Sequence, residues 1–334
     1  GGTLDATSVV VAAGGLITAD GQGYAGAVGT QGIGAGPGGG ARHIGGAHGG
    51  SGGVPEDYDE GERPAAYGSY WDPVTPGSGG GAHDGDNPGL PGGGAIHLAC
   101  DQLVLDGEVS ADGLGGLYNA GGGAGGSIWI EVSDFSGSGS LSAVGGAEGH
   151  WGYAGSGAGG RIAVHYDGSL GIAGASAVAS AGSATPAISV GEDGTVAFFD
   201  RSQPGRHLTV FQTMRLAAET DHEFGALELA ENASLVLGGD GRLRVAGALT
   251  LAEGAELRLR ASNRDEPLAG RWSGLGGWIE ADTLTVAAGS SITASGEGYR
   301  AVAGEPGRGP GGGPTGGGGG HGGAGGKGHS GTFG

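Results

Sequence analysis

Between long glycine tracts the chain carries short segments in which apolar and polar residues alternate. In 93–113, Ile96, Leu98 and Cys100 share one face, and so do Leu103 and Leu105. Residues 227–259 repeat the theme as Leu227/Leu229, Leu235/Leu237, Leu243/Val245, Leu249/Leu251 and Leu257/Leu259. A spacing of two puts side chains on one face of a strand. Glycine, aspartate and serine break the runs and supply turns. No segment has a convincing 3.6-residue period, so the pattern predicts strands.

The segments also repeat. GGAIHLACDQLVLDGEVSADG (93–113), GGSIWIEVSDFSGSGSLSAVG (125–145) and GGRIAVHYDGSLGIAGASAVA (159–179) open alike and place a small or apolar residue 13 positions after the first isoleucine. The resulting pairs are Leu4/Ile17, Ile96/Val109, Ile128/Leu141, Ile162/Ala175 and Ile279/Ile292. Leu227 and Leu249 stand 22 residues apart. A unit this short cannot bury its apolar face alone, and stacking copies does bury it. The expected fold is all-β, a parallel β-helix (solenoid).

A longer period overlies the short one. GGTLDATSVVVAAGGLITADGQGY (1–24) matches GGWIEADTLTVAAGSSITASGEGY (276–299) at 13 of 24 positions without a gap. After a two-residue slip, 36–53 falls on 309–326, so the period is about 275 residues, with about eight coils expected in each. The chain divides into a first coil (1–24), a glycine-rich insertion (25–92), coils with glycine-rich loops (93–182), coils of about 22 residues (183–275), a coil repeating the first (276–300) and a glycine-rich tract repeating part of the insertion (301–334). Matching ends can continue head to tail, and a heterologous contact that does not close gives a filament. Candidate assembly residues are Leu4, Val9, Val11 and Ile17 at the head and Ile279, Leu284, Val286 and Ile292 at the tail.

Glycine supplies 88 of 334 residues, without the Gly-X-Y spacing of collagen. Ordered glycine loops need partners for every N–H and C=O. Side-by-side packing of polyglycine-II-like segments is one solution, and burial between subunits is another. Tyr67, Tyr70, Trp71, Trp151 and Tyr153 are expected on glycine peptide planes or as surface anchors. The net charge of −20 argues against nucleic acid and anionic membranes as partners. No apolar run is long enough to span a membrane. The single cysteine, Cys100, leaves no internal disulfide and reads as a small inward hydrophobe.

GGGAIHLACDQLVLDGEVSADG, GGGAGGSIWIEV, GSGSLSAVGG and GAGGRIAVHYD resemble glycine-rich repeats of very large bacterial surface and secreted proteins, strongly over 90–182 and moderately over 1–24 and 276–300. The resemblance implies a right-handed parallel β-helix and a role as adhesin, sheath or extracellular fibre. It implies no catalytic residues.

Signals for chemistry are sparse. GGSGG at 49–53 fits the nucleophile-elbow pattern without its strand–helix setting. Lys327 lies in a glycine run that lacks the Ser/Thr of a P-loop. Asp57, Asp59, Glu60, Asp84, Asp86 and Asn87 offer hard oxygen ligands for calcium, against a reading as solvated surface charge. His43, His48 and His321 lack metal-site spacing and are expected to hydrogen-bond glycine-loop carbonyls. Asn232 heads a glycosylation sequon. Arg242/Arg244 and Arg258/Arg260 read as an outward charged ladder and not as the basic cleft of a polysaccharide lyase, so no enzyme is expected.

The sequence therefore points to a structural protein of an extracellular filament or fibrous cell-surface layer, with itself as partner, as a head-to-tail homopolymer of separate chains or a tandem array within one chain, and no cofactor other than candidate calcium. A monomeric module binding carbohydrate, such as surface polysaccharide, and a phage or viral fibre are the alternatives.

Overall fold

The computed structural model describes residues 1–55, 60–83, 86–116, 118–149, 153–185, 189–263, 267, 269, 271–299, 306–313 and 319–321. Alternation becomes pleat throughout. The strands are β1 (Gly2–Val11), β2 (Leu16–Thr18), β3 (Ala95–Leu105), β4 (Glu108–Ser110), β5 (Ser127–Ser136), β6 (Ser140–Ser142), β7 (Arg161–Tyr166), β8 (Leu170–Gly171), β9 (Ala177–Val178), β10 (Thr195–Asp200) and β11 (His207–Val210). They continue as β12 (Thr213–Leu216), β13 (Asp221–Phe224), β14 (Ala226–Leu229), β15 (Ser234–Leu237), β16 (Arg242–Leu251), β17 (Glu256–Leu259), β18 (Ala261–Asn263), β19 (Gly274–Gly276), β20 (Trp278–Val286) and β21 (Ser291–Thr293).

One large sheet orders its strands β1-β3-β5-β7-β10-β11-β14-β16, with β20 on the far edge of β16. Its first half, β1 to β10, is parallel. There Leu98, Ile130, Val164 and Phe198 face Val109, Leu141 and Ala177 of a small sheet, β2-β4-β6-β9. At β10 the direction reverses. β11 pairs antiparallel, Phe199 opposite Leu208 and Ala197 opposite Val210. The interior changes face with it. Ala163, Ala197 and Phe199 join Leu208, Leu229 and Leu251 in a second core, closed by Met214, Leu235 and Leu257 of the sheet β12-β15-β17-β21. Residues 161–165 of β7 and 195–199 of β10 are therefore buried on both faces.

These sheets correct the expected right-handed parallel β-helix. The chain is all-β with almost no helix, but the large sheet is mixed and no solenoid runs through it. The cause is the short link RSQPGR (201–206), where Pro204 and the left-handed Gly205 (φ 86°) fold β11 back along β10. Alternating leucines carry no mark of strand direction, so the reversal leaves the pattern intact.

Register differs locally too. Leu4 lies opposite Leu98, and Gly2 takes the place opposite Ile96. The turn 12–15 is two residues longer than 106–107, which restores Ile17 to Val109. Leu141 pairs with Ala177, not Ala175, because a 3-10 turn at Gly174–Ser176 intervenes.

The glycine tracts form a buried block with a three-residue hydrogen-bonding repeat. Gly121 and Ala124 donate to Gly81 and Ser78; Gly122 and Gly125 to Gly155 and Ala158; Gly123 and Gly126 to Leu114 and Ala111. In the next segment Gly155 and Ala158 donate to His43 and Gly46, Ser156 and Gly159 to Ser189 and Glu192, and Gly157 and Gly160 to Gly146 and Ala143. Each segment thus bonds three neighbours in turn, the geometry of extended helices with three residues per turn. A side chain would block it: a Cβ on Gly157 would collide with the carbonyl of Gly123.

Candidate assembly surfaces

The long sequence repeat is a repeat of conformation. Left-handed glycines recur in register: Gly14 and Gly289 (φ 78° and 77°), Gly21 and Gly296 (63° and 78°), and Gly36 and Gly309 (99° and 94°). Turn bonds recur as well. Gly34 N–H donates to Gly40 O at 2.8 Å and Gly307 N–H to Gly313 O at 2.7 Å. The Tyr24 ring lies against Gly36 as Tyr299 lies against Gly309.

At the head, β1 and β2 lie on β3 and β4. Val9 faces Leu103, Val11 faces Leu105 and Ile17 faces Val109. Val9 and Val11 are buried, Ile17 is half-buried, and Leu4 is 41% exposed. Asp20 Oδ1 accepts the Asp112 N–H at 2.7 Å and Asp20 Oδ2 the Ser110 hydroxyl at 3.0 Å. Burial pushes the Asp112 carboxyl above its usual range, opposed by bonds from Ser142 and Val144, and the neighbouring Asp20 charge adds to the rise.

At the tail, β20 and β21 lie on β16 and β17. Ile279 faces Leu243, Leu284 faces Leu249, Val286 faces Leu251 and Ile292 faces Leu257. The four residues beneath are fully buried. Above them, Leu284 is 49%, Val286 45% and Ile292 36% exposed, with Ile279 half-buried. The outer edges of β20 and β21 pair with nothing among the described residues. This is a core cut open across a layer, and its free edge offers a row of backbone groups to another strand. Arg244 lies 3.6 Å from Glu280 on the outer face.

The remaining candidates fall elsewhere. Asp57, Asp59 and Asp84 lie outside the described residues, as does Trp151. Glu60 begins a 3-10 turn, and Asp86 and Asn87 lie in a bend. Among the described residues no three His, Cys, Asp or Glu gather as a metal group. Asn232 is exposed with a left-handed φ of 60°. Cys100 is half-buried beside the first core, and burial raises its thiol pKa. Among the described residues no helix is long and apolar enough to cross a membrane.

One feature escaped sequence reasoning, and a second, the bonding of His48 to a glycine carbonyl, agrees with it. Tyr70 and Trp71 pack against the second core. Trp71 sits edge-on to His165 (4.4 Å) and Phe199 (4.6 Å) under the Arg206 guanidinium, clamping the glycine-rich insertion to the sheet. His48 lies inside the glycine block. Its Nδ1–H donates to Gly125 O at 2.9 Å and Nε2 accepts from the Thr75 hydroxyl at 3.1 Å. Burial, and secondarily the Arg161 charge, drive its pKa down to about 3. Its place in a repeated glycine motif was the available signal.

Comparison with family models, with curated proteins and with solved structures finds no match.

Proposed function

We propose that the chain is a structural protein that extends by end-on addition of like units, building an extracellular filament or fibrous surface layer. One observation carries the reading: Leu284 and Val286 are half-uncovered at the tail, while their counterparts Val9 and Val11 at the head are buried. Fully burying such side chains contributes about 1.5–3 kcal/mol each. The acidic, lysine-poor composition keeps a long assembly soluble. The extracellular placement follows from the resemblance to bacterial surface repeats. Sedimentation velocity across a wide concentration range tests the proposal. It predicts a concentration-dependent series of elongated oligomers, and a single monomer boundary throughout would refute it.

A second reading, polysaccharide binding, is favoured by one place. A cleft of about 450 Å³ is lined by His83, Asn87, Tyr118, Asn119 and Tyr153. Its two tyrosines are exposed, and Asn119 Oδ1 is buried without a hydrogen bond among the described residues. Retention on immobilised acidic or neutral polysaccharides, lost in Tyr118→Ala/Tyr153→Ala, would support it.

A further inference from the structure

We infer that the partner at the open tail is a second copy of this chain, joined by strand replacement: residues 276–299 of one copy take the place of residues 1–24 on β3 and β4 of the next. The inference rests on the end-on reading and adds the segment that is exchanged.

The receiving surface already binds this sequence. By the repeat, Ile279 would face Leu98, Leu284 would face Leu103, Val286 Leu105 and Ile292 Val109, the same apolar pairs that hold 1–24 now. The left-handed glycines stand in the same places. Among the described residues β1 pairs only with β3 and β2 only with β4, while Gly23 and Tyr24 at the end of the resident segment bond Gly92 and Gly77 of the glycine block.

The incoming segment puts Ser295 where Asp20 holds Ser110 and Asp112, and gains a contact at its head. A cavity of about 230 Å³ lies at the head of β1, lined by Thr3, Pro73, Val74, Ile96 and His97 among others. The counterpart of Thr3 is Trp278, which is 63% exposed at the tail. An indole in the place of Thr3 would fill that cavity beside His97, itself stacked on Trp129 at 3.9 Å and 10°. The Trp278 ring would extend the stack by one member.

Simple stacking of β20 on an intact β1 is disfavoured. In the same register Glu280 would lie opposite Asp5, and like charges directly opposite destabilise a strand pair. Replacement puts Glu280 opposite Ala99 and keeps Arg244 at its side.

Direction and face agree as well. β20 runs opposite to β1, and the second core lies on the opposite face of the large sheet from the first. A half-turn about the stacking direction relates the two ends. A second copy turned by that half-turn presents β3 parallel to β20 with its interior on the matching side.

The native Cys100 provides the test. Ala6 pairs with Cys100, and Ala281 is the counterpart of Ala6. Paired positions on adjacent strands lie about 4.8 Å apart, within disulfide range. Oxidised full-length Ala281→Cys should give intermolecular links between position 281 and Cys100, identified by peptide mapping. Oxidised Ala6→Cys should close the internal link, hold 1–24 in place and stay monomeric until reduced. Trp278→Thr should weaken association at least tenfold while leaving the melting temperature of the monomer unchanged. Suppose the wild type associates, but Ala281→Cys links only to itself or oxidised Ala6→Cys assembles freely. Replacement is then overturned and end-on association stands. If the wild type never associates, the end-on reading fails and replacement fails with it.

Discussion

Val11 and Val286 hold the same place in two copies of one strand–turn–strand unit, yet Val11 is 6% exposed and Val286 is 45%. Each lies on one neighbouring strand, Val11 beside Leu105 and Val286 beside Leu251, so the tail copy leaves more of its apolar side chain uncovered in the same pairing. Burying the open half of such a side chain contributes roughly 1 kcal/mol. Leu284→Ser with Val286→Ser should therefore weaken self-association by about 30-fold. Sedimentation equilibrium reads the change. The half of each side chain already packed on Leu249 and Leu251 is lost as well, so the monomer itself should lose roughly 2 kcal/mol.

The glycine block predicts position-specific intolerance. A methyl group at Gly157 would enter the carbonyl of Gly123, whereas one at Gly298 meets nothing within 4 Å among the described residues. Gly157→Ala should cost about 2–3 kcal/mol or abolish folding. Gly298→Ala should stay within about 0.5 kcal/mol of the wild type. Urea denaturation of the two variants distinguishes them.

His48 makes stability depend on pH. Its folded pKa is about 3 against 6.5 unfolded, so the unfolded chain binds the proton first on acidification. Its contribution is complete above pH 6.5 and falls by about 1.4 kcal/mol per unit as the pH drops toward 3. His165, also lowered by burial, acts with the same sign. Denaturant titrations from neutral to about pH 5 should show this slope, and His48→Gln should flatten it.

Trp71 ties the insertion to the sheet through His165 and Phe199, and its carbonyl accepts from His165 Nε2 at 2.7 Å. Trp71→Ala should cost roughly 3–4 kcal/mol. Limited proteolysis should then cut the 60–76 segment first.

Strand positions were legible because Leu98, Leu229 and Leu257 alternate with polar neighbours in any pleat. The 22-residue spacing was legible because it is the register itself: Leu227 pairs with Leu249 and Leu235 with Leu257. The reversal at β10 was not legible, because Phe198 and Phe199 are both apolar and β10 is buried on both faces. The eight assembly residues were found by the repeat, but only the structure separates the covered Val9 and Val11 from the open Leu284 and Val286. The three-residue bonding of glycine leaves no side-chain pattern to read.

The central claim is end-on extension with one repeat per added unit. Along the large sheet, β1, β3, β5, β7, β10, β11, β14 and β16 precede β20, the counterpart of β1. At roughly 4.8 Å per strand, replacement advances the assembly by about 38 Å per copy, and stacking on an intact β1 would add one more strand. Electron microscopy of the concentrated full-length chain, with the axial repeat read from averaged images, tests this most directly. Filaments or rods with a rise of about 38 Å per copy and, because alternate copies are turned by half a turn, a full axial repeat of about 77 Å are the predicted result; single particles at every concentration, or lateral clumps with no axial repeat, would contradict it.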